Sequence, residues 1–324
     1  MTDAAASSGA PQALGRALLR VVGFALTIAG AALLLLTLMH AAPGDAIDQL
    51  PNGDALRPVL EREWLLDRPL WEQVLAHFSR AAQGDLGVSL VVRPGATVLE
   101  VMSAPLLRSA TWVAASIALS LAWGATLAAA TSRRSRAAGR FVEIASVPPV
   151  FLVAHLAVNG LNAGAWRLMQ ADLITRPSWF ALPDEASWLR TTLAIVVLAL
   201  GSGALSRTHL AVRTALLELR HASFIDAARA RGEDTRPLIA RHLIAPLAHL
   251  TAERVAAHVA GLIILERVLL LNGAGSLFWR ASLERDWPLA LGLALAAATG
   301  VAATRLACDG VRVLADPRER EVSG

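Results

Sequence analysis

The sequence Asp226-Ala227-Ala228-Arg229-Ala230-Arg231-Gly232 lies in an arginine-rich loop between two apolar segments. Alanine and arginine are good helix formers, and glycine often follows the last residue of a helix. The stretch therefore predicts a short helix that ends at Gly232. A short helix flanked by charge is typical of an element that docks on another protein. Its residue types do not indicate an active site.

The composition of the chain predicts a membrane protein. Of the 324 residues, 55% are hydrophobic and 17% are charged, whereas a soluble domain carries about 25% charged residues. The mean hydropathy is +0.50, and the apolar residues form runs of membrane-spanning length. The predicted fold class is an all-α polytopic membrane protein.

Residue counts exclude several functions. The chain contains no lysine, and a standard P-loop needs a lysine on the phosphates of the nucleotide. ATP used by this system would therefore bind to another chain. Cys308 is the only cysteine, which excludes an intrachain disulfide. The pI near 10.9 does not indicate nucleic-acid binding, because the arginines flank apolar segments as in membrane proteins.

Six apolar runs predict six transmembrane helices. Cytoplasmic loops carry an excess of arginine, and the clearest cluster, residues 133–140, follows the second run. This places both termini in the cytoplasm, with residues 1–20 as the N-terminus and 311–324 as the tail. The predicted spans lie at about residues 21–39, 109–131, 141–161, 191–212, 247–271 and 288–307.

The first two spans are separated by a polar outer segment at about residues 41–108. Within it, Asp67 and Pro69 are placed to begin a helix, and Gly84 is placed to end it. Apolar residues repeat between them at helical spacing. We expect an amphipathic helix that lies on the membrane or on neighbouring spans.

Two other segments carry local predictions. Pro148-Pro149 predicts a kink in the third span, because a proline inside a helix removes a backbone hydrogen bond. Asn272-Gly273-Ala274-Gly275 predicts a turn after the fifth span. The cytoplasmic loop that contains the opening stretch covers about residues 213–245.

Ten short motifs, in order along nearly the whole chain, carry a resemblance to a known family. They are Pro43-Gly44-Asp45, Leu66-Asp67-Arg68-Pro69-Leu70, Gly84-Asp85-Leu86-Gly87-Val88-Ser89-Leu90, Ser146-Val147-Pro148, Ala228-Arg229-Ala230-Arg231-Gly232, Arg241-His242, Glu266, Gly273-Ala274-Gly275, Arg285-Asp286-Trp287-Pro288 and Asp316-Pro317-Arg318. In these motifs the chain resembles the permeases of ABC importers of the dipeptide/oligopeptide/nickel class. Within that class it is similar to the first, B-type, of the two membrane subunits.

The resemblance implies a type I ABC importer fold, with a permease domain over residues 21–310. It implies half of a translocation path, a second homologous permease subunit, two cytoplasmic ABC ATPases and an extracytoplasmic solute-binding protein. The chain would bind no cofactor, because ATP and magnesium would bind to the ATPases. The implied location is the inner membrane of a bacterium, and the implied cargo is a peptide or a related small solute.

Under this resemblance the opening stretch becomes the element that couples to the ATPase. The predicted coupling residues are Phe224, Asp226, Ala227, Ala228, Arg229, Arg231 and Gly232. Phe224, Ala228 and Arg231 are predicted to share one helix face, and Ala227 permits close approach. Arginines 229 and 231 can bind acidic groups on a partner or lipid phosphates. The alternative is a solvated basic loop that only obeys the positive-inside rule.

The chain departs from the usual coupling loop of the family at three positions. The loop usually ends in a proline where this chain has Leu250, and Pro246 comes earlier. Pro237 is expected to interrupt the second coupling segment. These differences predict an altered partner or cargo.

The fifth span, usually nearly uncharged in the family, carries Glu253, Arg254 and His258. A charge at the bilayer centre costs about 2.5–3.5 kcal/mol, so these side chains are predicted to face protein or water. Glu253 can pair with His249, whereas Arg254 and His258 need acidic or carbonyl partners from elsewhere. One interpretation is a pore lining or gate. The alternative is a cluster near the cytoplasmic helix end, with Arg254 extending to the interface.

The third span offers another pair of polar residues, His155 and Asn159, four positions apart. A metal pathway is one hypothesis, since some relatives carry nickel, and an interhelical hydrogen bond is the preferred one. Glu266 coincides with a family position and is predicted to be structural.

Other function classes have less support. The sequence lacks the His-Glu-x-x-His and Gly-x-Ser-x-Gly motifs of common hydrolases, so a membrane enzyme is disfavoured. A divergent receptor or scaffold without transport, and a nickel-specific or other metal-specific permease, stay open as alternatives.

Overall fold

The computed structural model describes residues 22–34, 37, 38, 41, 47, 53–63, 68–131, 148–175, 187–201 and 203–315. Helices dominate, and these residues contain no strand beyond an isolated antiparallel bridge between Val88 and Thr97. The helices are α1 (Val22–Leu34), α2 (Gly53–Glu63), α3 (Leu70–Ala82), α4 (Val98–Thr131), α5 (Val150–Gln170), α6 (Ser187–Leu200), α7 (Ala204–Arg220), α8 (Ser223–Ala230), α9 (Arg236–Val268), α10 (Ala274–Leu283) and α11 (Trp287–Ala315).

Three helices, α4, α9 and α11, are long and apolar enough to cross a membrane. The pair α6 and α7 is a fourth candidate span, bent by 48° at the break between its helices. These helices confirm the predicted all-α membrane fold class. The count of six spans stays a prediction, because residues 132–147, residues 176–186 and most of 35–52 lie outside the described residues.

The fourth predicted span, residues 191–212, is not one straight helix. α7 begins directly after Gly203, whose φ of +71° is a left-handed conformation that glycine adopts without strain. Gly201 has no room for a side chain, since a Cβ there would lie 2.8 Å from Cγ2 of Val150. The bent pair of α6 and α7 still covers the predicted span. The bend itself was not predicted, because both glycines lie within a continuous apolar run.

The loop predicted at residues 213–245 is largely helical. Its central part forms α8, and α9 begins at Arg236, well before the predicted start of the fifth span at residue 247. Pro237 lies in the first turn of α9, where a missing backbone N–H breaks no helical hydrogen bond. The expectation that Pro237 interrupts this segment was therefore wrong.

Other boundaries also differ from the predictions. α4 begins at Val98, within the predicted outer segment, and α11 continues to Ala315, within the predicted tail. Pro149 is the N-cap of α5. The kink predicted in the third span stays a prediction, because residues 141–147 lie outside the described residues. The turn after the fifth span is shorter than predicted, because α10 already begins at Ala274.

Some predictions concern residues that the structure does not describe. They are the N-terminus 1–20, the motif Pro43-Gly44-Asp45, the helix start at Asp67, the arginine cluster 133–140 and the tail from residue 316.

The described chain divides into two compact units. The first contains Thr111–Leu271 and the end of α11 from Ala303, and within it α9 packs against α5, α6 and α7. Small residues bring these helices close together: a Cβ on Gly261 of α9 would lie 2.9 Å from Cδ1 of Leu198 on α6.

The second unit contains Arg16–Ala110 and Asn272–Ala302. Its larger apolar core is formed by Val98, Met102, Ala281, Leu289, Ala290 and Leu293. Gly292 permits close packing there, since a Cβ on it would lie 2.6 Å from Cγ1 of Val98.

The helix α3 belongs to this second unit, and its ends agree with the prediction only in part, since Pro69 lies at the N-cap and not in the first turn. Pro69 is its N-cap, and Gly84, with φ +81°, follows its last turn. Phe78 packs against a small apolar cluster of α1 and α11, whereas Trp71 and Leu75 are exposed. α3 therefore lies on neighbouring helices through one face only.

Asp286 connects a loop of the second unit to the start of α11. Its Oδ2 accepts hydrogen bonds from the Ser89 hydroxyl and from the backbone N–H groups of Leu90, Val91 and Val92, the last three at 3.0, 3.1 and 3.0 Å. Asp286 is fully buried. Successive N–H groups of this kind form an anion-binding nest, and here the carboxylate of the chain itself fills it.

Candidate functional site

The short helix α8 forms as the sequence predicts, and a glycine ends it. Gly232 has φ +73°, and its N–H donates to the carbonyl of Arg229 at 2.9 Å. The N–H of Glu233 donates to the carbonyl of Ala228 at 3.0 Å. These two bonds define a Schellman motif, which satisfies the last carbonyls of a helix.

The two faces of α8 differ in exposure. Ile225 and Ala228 are buried, whereas Phe224, Ala227 and Arg229 are exposed. Ala228 thus holds the helix against its own unit and cannot share an exposed face with Phe224. Phe224, Ala228 and Arg231 have the spacing of one helix face, as predicted, but Ala228 is covered and does not contribute to an exposed surface. Helical spacing alone does not identify which residues are covered.

The charged groups of α8 pair with one another. Arg229 contacts Asp226 at 2.9 Å, and Arg231 contacts Glu233 at 2.6 Å through its Nε, with a second bond from Nη2 at 3.1 Å. The hydrogen bond between Arg231 and Glu233 raises the pKa of the guanidinium and lowers the pKa of the carboxyl. The pair therefore persists above the usual carboxyl pKa and is lost only as pH falls through the lowered value.

An aromatic pair joins α8 to α9. The rings of Phe224 and His242 are stacked, with centroids 4.7 Å apart and an interplanar angle of 18°. Nδ1 of His242 lies 2.8 Å from the carbonyl of Leu238 and donates to it, which fixes the ring. The sequence analysis quoted His242 only as part of the Arg-His motif and gave it no role. His242 lies 18 positions after Phe224, so no local sequence pattern indicated that the two rings are in contact.

Arg254 lies buried between α9 and α7. Its Nη1 donates to the carbonyl of Ala204 and, at 2.9 Å, to Oγ1 of Thr208. The predicted carbonyl partner is confirmed, and Arg254 does not extend to an interface as the alternative required. Its Nε and Nη2 contact no acceptor among the described residues.

The neighbours of Arg254 on α9 differ in exposure. Glu253 is half-exposed and pairs with His249 at 3.2 Å, which confirms the predicted pair. His258 is buried, and its Nδ1 lies 3.1 Å from the carbonyl of Arg254. Nε2 of His258 has no partner in the described part of the chain. α9 thus carries an exposed charge pair and a buried polar pair.

The other polar candidates lie apart from this cluster. His155 and Asn159 are both exposed on α5, and neither forms a hydrogen bond to another described residue. The predicted interhelical hydrogen bond stays a prediction, because residues 132–147 and 176–186 lie outside the described part of the chain. Glu266 is buried near the end of α9, at 1% exposure, as a structural residue would be. The described residues contain no cluster of three or more His, Cys, Asp or Glu side chains suited to a metal.

Comparison with known proteins assigns the chain that carries these helices to a family. Residues 116–321 match the family described as binding-protein-dependent transport system inner membrane component. This chain belongs to that family. The match includes α8 and α9 in full and covers more than half of the chain. The resemblance found in the sequence is confirmed, and the chain is a membrane-embedded permease subunit of an ABC importer.

Three relatives within the family are named as peptide permeases. A protein of Brucella ovis named as a peptide permease is 29% identical over 300 residues, covering 88% of this chain and 92% of that protein. The di/tripeptide permease DppB of Pseudomonas aeruginosa is 25% identical over 320 residues, covering 91% and 95%. The oligopeptide permease OppB of Salmonella typhimurium is 27% identical over 285 residues, covering 80% and 83%. The two B-type names agree with the predicted resemblance.

Proposed function

We propose that this permease subunit forms half of a translocation path for peptides or a related small solute. Residues 224–245 would couple it to a separate ATPase. The relatives named as peptide permeases support the cargo. α8 carries the coupling role, because Gly232 fixes the end of the helix and its outer face presents Phe224 and Arg229. An apolar side chain flanked by charge suits a groove on a partner protein.

The partners follow from the same proposal. They are a second homologous permease subunit, two cytoplasmic ABC ATPases, an extracytoplasmic solute-binding protein and the lipid bilayer. The family description, which names a binding-protein-dependent system, supports the last protein partner. ATP and magnesium would bind to the ATPases, since this chain has no lysine for a standard P-loop. No nucleic acid and no cofactor of its own are part of the proposal.

Arg254, His258 and Glu253 are proposed to line or gate the path. Two of these side chains are buried in a helix that is long enough to cross the membrane, and buried polar groups in such helices commonly mark transport pathways. His155 and Asn159 share an exposed face of α5 and stay candidates for the same lining.

The coupling role predicts a specific effect at Gly232. Gly232→Val should abolish transport by the complex reconstituted in vesicles, because a β-branched residue is strained at φ +73°. A Cβ at Gly232 meets no atom within 4 Å, so the effect comes from the backbone and not from a clash. Gly232→Asn is the matched control, since asparagine tolerates this conformation, and it should transport nearly normally.

The rate of ATP hydrolysis by the complex distinguishes a loss of coupling from a loss of folding. In the Gly232→Val complex, hydrolysis should continue but lose its dependence on the solute-binding protein. Arg229→Glu should have the same effect, because it places a like charge beside Asp226 and removes a cation from the outer face. Normal transport by both variants would show that residues 224–245 are not the coupling element.

The proposed orientation can be checked by cysteine labelling. On a Cys308→Ala background, Arg229→Cys should react with a membrane-impermeant thiol reagent only from the cytoplasmic side. Gln83→Cys, in the exposed C-cap of α3, should react only from outside. Arg134→Cys and Trp179→Cys are expected inside and outside, respectively. Labelling of position 83 from the cytoplasmic side alone would reverse the topology.

A further inference from the structure

We infer that the stacked pair of Phe224 and His242 transmits the movement of α8 to α9, with His242 as the positioning residue. The inference rests on the proposed coupling role of α8. It assigns the mechanical step to one side-chain contact between two helices. The partner engaged is an ATPase groove that contacts the exposed part of Phe224.

The charges of α8 do not connect it to α9. Asp226 pairs with Arg229 on the same helix, and Arg231 pairs with Glu233 two residues later. These ion pairs are local and about half-exposed, so each contributes little and neither reaches α9. The ring contact joins residues on the two helices directly.

His242 is held in a fixed orientation. Its Nδ1 donates to the carbonyl of Leu238, one turn earlier on α9. A ring fixed in this way forms a rigid surface under Phe224, and aromatic pairs contribute about 0.5–1.5 kcal/mol beyond the area they bury. Phe224 is 37% exposed, so part of its side chain is available to a partner.

His242 and Arg254 lie on the same continuous helix. α9 extends from Arg236 to Val268, and Pro246 lies inside it and removes one backbone hydrogen bond, that to the carbonyl of His242. His242 lies twelve residues before Arg254, which corresponds to about 18 Å along the helix axis. A displacement of the His242 turn is therefore carried toward the buried contacts of Arg254 with Ala204 and Thr208 on α7.

A double-mutant cycle in the complete reconstituted complex tests this inference. Phe224→Ala and His242→Ala should each reduce transport by about 2-fold to 30-fold, the range for residues that carry coupling between sites. The double variant should be no worse than the more impaired single variant, because the two residues act as one unit. The amount of subunit in the membrane should not change, whereas the stimulation of ATP hydrolysis by the solute-binding protein should fall.

Two further variants separate stacking from other effects. His242→Phe keeps a flat ring and should restore at least half of the transport that His242→Ala loses. His221→Ala removes an exposed histidine at the C-cap of α7, and it should behave as wild type.

The outcomes also separate this inference from the proposed function. The inference is overturned if His242→Ala transports normally, or if His242→Phe transports as poorly as His242→Ala. It is also overturned if the fold-losses in transport of Phe224→Ala and His242→Ala multiply in the double variant. If Gly232→Val still abolishes transport in such a case, the coupling role of α8 stands and only its route to α9 is wrong.

Discussion

Asp286→Ala should prevent the second unit from folding stably, with a loss of stability on the order of 3–5 kcal/mol. The substitution leaves the Ser89 hydroxyl and the N–H groups of Leu90, Val91 and Val92 without the carboxylate that accepts all four bonds. Each hydrogen bond to a charged group is worth about 1.5–3 kcal/mol, and a buried donor left without a partner adds a desolvation cost. The N-terminus of α11 also loses a negative charge that interacts favourably with the helix dipole.

The thermal transition of the purified permease in mild detergent, followed together with its abundance in the membrane, measures this effect. Asp309→Ala is the matched control, because Asp309 forms only a partly exposed i,i+3 pair with Arg312 in the same helix. That variant should lose no more than about 0.5 kcal/mol. Asp286→Asn keeps the shape but brings an amide NH₂ toward N–H donors, so we expect a loss between those of the two alanine variants. If Asp286→Ala and Asp309→Ala have the same melting temperature, the nest does not contribute to the stability of the fold.

The nest also shows why part of the fold could not be predicted. The sequence analysis quoted both the motif that contains Ser89 and the motif that contains Asp286. Their contact joins residues 197 positions apart. A single sequence has no local pattern that pairs such motifs. By contrast, the Schellman motif at Gly232 and the pair of His249 with Glu253 depend on neighbours within one turn, and both were predicted.

In the candidate site, too, local features were predicted and long-range contacts were not. The existence of α8 and its glycine end were predicted, because composition and spacing determine them locally. The covered side of α8 was not, since Ala228 is buried by tertiary packing that spacing does not specify. The role of His242 was missed for the same reason. Pro237 was misinterpreted because a proline has opposite effects in the first turn and in the interior of a helix.

Arg254→Met should reduce transport by about tenfold while the permease folds at least as stably as wild type. Methionine keeps most of the length of the side chain and removes the charge. The substitution leaves no hydrogen-bond acceptor without a donor, because the carbonyl of Ala204 still accepts a hydrogen bond from the Thr208 hydroxyl at 3.0 Å. Replacing buried charges by apolar side chains of similar size is often neutral or stabilising. A buried cation whose Nε and Nη2 have no acceptor among the described residues is costly, and the proposed role in the path would explain why it is kept.

Arg305→Met is the control that isolates burial. Arg305 also donates to a backbone carbonyl, that of Ala252 on α9, at 3.2 Å, but it is exposed. The same substitution there should change neither transport nor melting temperature, because an exposed bond of this kind is replaced by water. Transport into vesicles and thermal melting are measured on both variants in the complete complex. If Arg254→Met melts lower and transports in proportion to the folded protein left, Arg254 is only structural. If it transports normally, Arg254 neither lines nor gates the path.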